Sequence, residues 1–171
     1  RRAPATVALR ARGGHKEGEG KHSHGHNEVD GDSHMLGGGV TMMMNGAHEG
    51  DVETVLARIQ KGEDINAQDA YGWTALRYAC RNNYPEVVSA LLANGADMDL
   101  QSKSGRSPLM SAAANGHEKV VTLLMDGGAD PMLKDEKGRT AYDLAMRGGR
   151  TGNAKIRELC SGGQTEGTAR R

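Results

Sequence analysis

Phenylalanine is absent from these 171 residues, and with one Trp and four Tyr the aromatics reach only 3%. A conventional single core draws much of its buried area from large rings. A stack of small helices filled with Ala, Leu and Val does not need them. Cysteine is scarce too: Cys80 and Cys160 are too few to staple a secreted scaffold, and they fit a reducing intracellular compartment. Net charge is missing, with 22 basic and 22 acidic residues, so nothing in bulk electrostatics points to nucleic acid or an anionic membrane. No apolar run approaches the roughly 20 residues of a membrane-spanning helix. What the chain has in abundance is glycine, 25 in all, and its spacing is informative.

A Gly-X-Thr/Ser triplet recurs at Gly39-Val40-Thr41, Gly72-Trp73-Thr74, Gly105-Arg106-Ser107 and Gly138-Arg139-Thr140, successive glycines lying 33 residues apart. A second landmark keeps the register eleven residues on, at Gly50, Asn83, Gly116 and Gly149. Repetition with this period fixes an architecture before any single residue is read. Each copy follows one plan. Thr74 caps a helix with Ala75, Leu76 and Ala79 on one stripe, and Pro85 opens a second helix at a position where its missing N–H is harmless. Val87, Val88, Leu91 and Leu92 form that helix's apolar stripe, which Gly95 ends. Ser107 and Pro108 open the same pair in the third copy, with Leu109, Ala112 and Ala113, then Val120, Val121, Leu123 and Leu124. The first copy offers Val52, Val55, Leu56 and Ile59; the fourth offers Ala141, Leu144 and Ala145, then Ile156 and Leu159. Helices this short are marginal alone, so stacking must hold them.

The segments GWTALRYACRNNYPEVVSALLANGADMD and GRSPLMSAAANGHEKVVTLLMDGGADP resemble ankyrin repeats, a family with a Gly-x-Thr-Pro-Leu-His opening, a Gly-His turn, a Val-Val-x-Leu-Leu helix and a Gly-Ala-Asp loop. The resemblance spans about three quarters of the chain and implies an all-α solenoid of helix pairs joined by short β-hairpin fingers. The chain departs from the family in the His after Leu, replaced by Met44, Arg77, Met110 and Asp143, and keeps the Pro only as Pro108. The expected division is an arm over 1–36, repeats at about 37–69, 70–102, 103–135 and 136–161, and a tail over 162–171. The arm and tail are rich in Gly and charge and show no apolar periodicity, a composition expected to stay disordered.

The resemblance implies a row of surfaces that meets a protein partner on finger tips and on a concave face of inner helices. Mapped onto this sequence, the partner-binding candidates are Tyr71, Trp73, Arg77, Tyr78, Arg81, Lys103, Arg106, Met110, Ser111, Lys137, Arg139 and Arg147, with Asn115 and Asp143 also turned outward. That side is basic, while Asp51, Glu53, Glu86, Glu118, Asp97, Asp99 and Asp130 fall on outer helices and loops, so an acidic partner segment is expected. The bland reading is that Asp51, Glu53, Glu86 and Glu118 merely favour helix N-termini and the cations are solvated. Trp73 reads equally as an interface anchor or as packing against a neighbouring finger. Met43 aligns with Leu76 and Leu109 as core; Met42 and Met44 read either as an exposed, adaptable surface at the stack entry or, the preferred reading, as simple capping of the stack end by residues folding back from 30–40.

No Ser-His-Asp logic, phosphate-cradling loop or His-Glu-x-x-His motif is present, and neither Cys80 nor Cys160 has a base beside it, so no enzyme and no cofactor is expected. The arm holds His15, His22, His24, His26 and His34. The His-x-His-x-His core at His22, His24 and His26 makes these weak metal candidates, without a scaffold or cysteine ligand. The first fourteen residues carry four Arg and no acid and resemble the end of an organelle transit peptide; a plain basic tail or an arbitrary boundary explains them equally. The expected function is a non-catalytic interaction module or adaptor. The alternatives are a structural subunit of a larger, organellar assembly and a metal-binding protein acting through the arm. Cytoplasm, plastid and mitochondrion stay open.

Overall fold

The computed structural model describes residues 38–147 and 154–161. Eight helices lie among them: α1 (Met42–Glu49), α2 (Val52–Gln60), α3 (Ala75–Asn82), α4 (Pro85–Ala93), α5 (Pro108–Asn115), α6 (Glu118–Asp126), α7 (Ala141–Arg147) and α8 (Ala154–Cys160). They pack in pairs and in two layers. The inner helices α1, α3, α5 and α7 touch in sequence, and so do the outer helices α2, α4, α6 and α8. The main contacts among the described residues therefore run between neighbours, the arrangement of a linear stack.

The recurring triplet sets where each inner helix starts. The Thr41, Thr74 and Ser107 hydroxyls accept the N–H of Met44, Arg77 and Met110 three residues on, filling one of the donors a helix leaves open at its N-terminus. In the last repeat Thr140 and Asp143 cap each other reciprocally, backbone N–H to side-chain oxygen in both directions, a capping box. The second landmark sets where the inner helices stop. Gly50, Asn83 and Gly116 are left-handed at φ 78°, 62° and 74°. The next N–H then reaches back to Gly46, Ala79 and Ala112 carbonyls, closing each end in a Schellman turn.

α2, α4 and α6 start at Val52, Pro85 and Glu118, in register, and α8 is described from Ala154. Gly149, the fourth member of the landmark, lies outside the described residues.

The core is aliphatic, as the missing Phe requires. Leu76, Leu109, Val87, Val88, Leu91, Val120, Val121, Leu124 and Ile156 are fully buried, with Met43, Met44 and Trp73 as the bulkiest members. Met44 is buried, against the reading of an exposed pair at the stack entry. Its thioether sulfur folds back to accept the Thr41 N–H at 3.5 Å, and α3 closes over α1; Met42 does stay exposed. Leu56, expected on the apolar stripe of α2, is exposed as well.

Candidate functional site

The fingers are the first surface to consider, and each is built around one side chain. Asp69 Oδ1 accepts the N–H of both Tyr71 and Trp73, and its Oδ2 accepts the Tyr78 hydroxyl at 2.6 Å. Asp135 repeats the device. Its Oδ1 accepts the N–H of Lys137 and Arg139, and Arg139 closes on Oδ2 at 2.8–2.9 Å. Between them Ser102 fills the equivalent place with a hydroxyl that accepts the Arg106 N–H. Burial alone would raise the Asp135 pKa, but the hydrogen bonds from Arg139 and Lys137 and the Arg139 charge together hold it below the usual carboxylate value. A carboxylate held by several N–H groups prefers its charged form.

No strand forms among the described residues. Each finger is a tight turn, as in Gly72 N–H to the Asp69 carbonyl at 2.9 Å and Asp69 N–H to the Trp73 carbonyl at 3.0 Å, too short to extend a ladder. Fingers join each other through single backbone bonds, Ala70 to Gly38, Lys103 to Tyr71 and Glu136 to Ser104, each N–H donating to the preceding carbonyl. Gly72 and Gly105 sit where a Cβ would come within 2.9 Å of the next finger's backbone nitrogen, at φ +77° and +74°. Close approach and positive φ thus both demand glycine.

Two further ladders lock the stack. Gln68 donates to the Gly72 and Gln101 carbonyls, and Gln101 donates to those of Gly105 and Lys134. In the loops, Asn66 accepts the Asp97 N–H and Asp99 accepts that of Asp130. The loop acids Asp97, Asp99 and Asp130 also fold onto their own turns or neighbours, and Asp51 caps α2 through Thr54, whose side-chain and backbone hydrogen bonds lower its pKa. These acids serve local geometry, Asp51 as a helix cap and the loop acids in their turns.

The binding candidates divide. Arg77, Tyr78, Met110 and Ser111 are buried, which corrects their outward placement on the inner helices; Trp73, on its finger, is buried too. The cause is neighbour packing. The Arg77 guanidinium lies 3.6 Å from the Trp73 ring centroid and its Nε donates to Ser111 Oγ at 3.1 Å, while Tyr78 tilts against Trp73 at 5.0 Å and hydrogen-bonds Asp69. Position 77 thus faces the next repeat rather than solvent, and the cation is held there by an aromatic face and a hydroxyl. Arg139 is tied to Asp135 within its own finger. Tyr71, Lys103, Lys137 and Arg147 are exposed, Arg81 and Arg106 half-buried, and Asn115 and Asp143 exposed. Arg81 stands over Trp73 at 5.1 Å. Trp73 is therefore a platform under two Arg side chains.

Both thiols are buried. Desolvation pushes Cys160 up to about 11. It raises Cys80 far more, against an opposing pull from the Arg77 charge. Neither is a thiolate near neutrality, the form a nucleophile needs. Among the described residues no group of three or more His, Cys, Asp or Glu is placed to hold a metal ion, and no helix is long and apolar enough to cross a membrane. The His22, His24 and His26 candidates lie outside the described residues.

The ladders through Gln68 and Gln101, and the finger anchors Asp69, Ser102 and Asp135, escaped the residue-by-residue reading. The 33-residue spacing of Gln68 with Gln101, and of Asp69 with Ser102 and Asp135, was the available signal. A family model described as ankyrin repeats matches in three copies, over residues 23–102, 43–135 and 80–165. No curated protein matches the sequence. With the helix pairs, capped triplets and stacked fingers, that match covers most of the chain, which belongs to the ankyrin-repeat family.

Proposed function

We propose that this chain, of a family whose repeats are generally protein–protein interaction modules, is a non-catalytic adaptor whose repeat domain, about residues 37–161 between the arm and the tail, docks an acidic protein segment along its finger tips and the solvent side of its inner helices. The supporting observation is the row of cations on consecutive fingers. Lys103 and Arg106 on one tip and Lys137 on the next belong to fingers joined by the Glu136–Ser104 backbone bond. Arg81 adds a cation beside them over Trp73. Pre-positioned charges of one sign steer and select a partner of the other sign. Glu136 interrupts the row, so the preference is for a few acids at finger spacing rather than for polyanions.

The test is affinity capture from native extract with the wild type and with Lys103→Glu/Arg106→Glu/Lys137→Glu, at low and high salt, folding of both being checked by circular dichroism. Lys103 and Lys137 are exposed and Arg106 is half-buried, so the variant is expected to keep its fold. Proteins captured by the wild type and lost both in the variant and at high salt support the reading. Proteins retained by the folded variant, insensitive to salt, overturn it.

A further inference from the structure

The junction between repeats is built three times within this chain, and each time the same positions are covered. Met43, Leu76 and Leu109, in register on α1, α3 and α5, are each 1% exposed, and Ala47, Cys80 and Ala113 are 0% exposed. On α7 the same two positions are Tyr142, 37% exposed, and Met146, 51% exposed. The Asp143 position follows suit: Met44, Arg77 and Met110 are buried and Asp143 is exposed. The complementary half of the junction stands at the other end of the stack. Ala75, Pro108 and Ala141, which open α3, α5 and α7, are buried, while their counterpart Met42 is 52% exposed. Terminal repeats of such stacks ordinarily turn a polar face outward. Here both ends turn methionine outward.

The loops and fingers agree. Asn66 and Asp99 each take an N–H from the following loop, and the next residue in that register is Met132, exposed. Gly138 keeps its positive φ of +71°, yet nothing lies within 4 Å of its Cβ position, where Gly72 and Gly105 meet the next finger at 2.9 Å. The α7 end is thus an apolar stacking surface with one side built.

We infer that this chain stacks head-to-tail on a second copy of itself, the α7 end of one copy receiving the α1 end of the next as a continuation of the repeat junction. The register specifies the pairs. Within the chain Arg77 Nε donates to Ser111 Oγ across a junction; the same step from Asp143 arrives at Asn45 of the second copy, a carboxylate facing an amide donor. Asn82 donates to the His48 carbonyl across another junction; there the same step sets Glu49 of the second copy beside Arg147, opposite charges. Tyr142, Met146 and Met132 supply the apolar area, with Met42 opposite. A head-to-tail contact is heterologous, so each bound copy presents a fresh end and the series stays open.

Sedimentation velocity on the full chain across a wide concentration range tests this. One blocked variant carries Met42→Lys and another Tyr142→Lys/Met146→Lys; all three side chains are exposed, and circular dichroism verifies the folds. The wild type is expected to grow in mass with concentration, past two chains. Each blocked variant alone is expected to stay at one chain, and an equal mixture is expected to form a one-to-one complex and grow no further, since each keeps the end the other lost. A charge swap gives a second reading that leaves the apolar surface intact. Arg147→Glu is expected to weaken association of the otherwise native chain, and adding Glu49→Arg to the same chain is expected to restore it. A wild type of one-chain mass at every concentration overturns the inference. So does self-association of either blocked variant at wild-type strength, or failure of the two to pair.

Discussion

The second and fourth repeats carry the same plan and meet different surroundings. On α3 a charged Arg77 is buried between the Trp73 ring and Ser111, because α5 closes over it. On α7 the equivalent Asp143 stays in solvent and caps its own helix through Thr140. Sequence register predicts which positions correspond; whether a neighbour arrives decides what those positions experience. A charge is tolerated inside the stack only with its partners in place, and at the end it needs none.

The widest separation is expected in side-chain truncation. Leu109→Ala removes a 1% exposed side chain from the middle of the stack and should cost about 3 kcal/mol, transfer plus cavity. Tyr142→Ala, in the same register on α7, leaves no closed cavity and should cost about 1 kcal/mol or less. Urea unfolding at a concentration where the chain is a single copy measures both. Equal losses would mean the α7 position is as enclosed as α5, breaking the comparison.

Glycine substitution sharpens it from the backbone side. Gly105→Ala meets the Glu136 nitrogen at 2.9 Å as well as an unfavourable φ, and should cost about 2–3 kcal/mol. Gly138→Ala has the unfavourable φ alone, for about 1 kcal/mol. The difference between the two melts isolates the finger-to-finger approach, since the strain in φ is common to both.

These contrasts also explain what could be read from the chain. The caps were legible because Thr74, Ser107 and the glycine at Gly116 act on residues three or four positions away, and local chemistry leaves a local signal. Pro85 and Pro108 open their helices for the same reason. Arg77 misled because its partner Ser111 is 34 residues distant and a charged side chain is ordinarily exposed. Yet Trp73, four positions before it, was a visible partner. The Gln68 and Gln101 side chains look like surface glutamines until the fingers are stacked. Of the binding candidates, the finger cations followed from the family resemblance, whereas Met110 and Ser111 required knowing how closely α7 and α3 approach α5.

The finger anchors offer a smaller contrast. Asp135→Asn keeps the shape but removes the charge that holds two backbone N–H groups and Arg139; the expected loss is about 1–2 kcal/mol. Ser102→Ala, removing a neutral acceptor at 3.3 Å, should cost about 1 kcal/mol or less. Because the folded Asp135 pKa is depressed, its contribution is present above the ordinary Asp value and falls away as pH drops through the folded one. Acid melts of the Asn variant should lose that part of the pH dependence.

The least effect is expected at a junction that only the middle of the stack can titrate. His117 follows the left-handed Gly116, where Asp51 and Tyr84 follow Gly50 and Asn83. Its Nε2–H donates to the Arg81 carbonyl at 2.8 Å, tying the third repeat to the second. Desolvation lowers its pKa and the hydrogen bond only partly restores it. The folded imidazole therefore stays neutral while the unfolded chain takes up a proton near pH 6.5, the ordinary value. Folding stability is then flat above that pH and declines below it, until the folded His117 also protonates. This window lies above the range where Asp135 titrates, so the two contributions separate along one pH series. Melting temperatures of the wild type and His117→Gln should run parallel from neutral pH upward and converge below about pH 6.5. Curves that stay parallel through that range would show that burial at the second junction is no tighter than at an exposed turn.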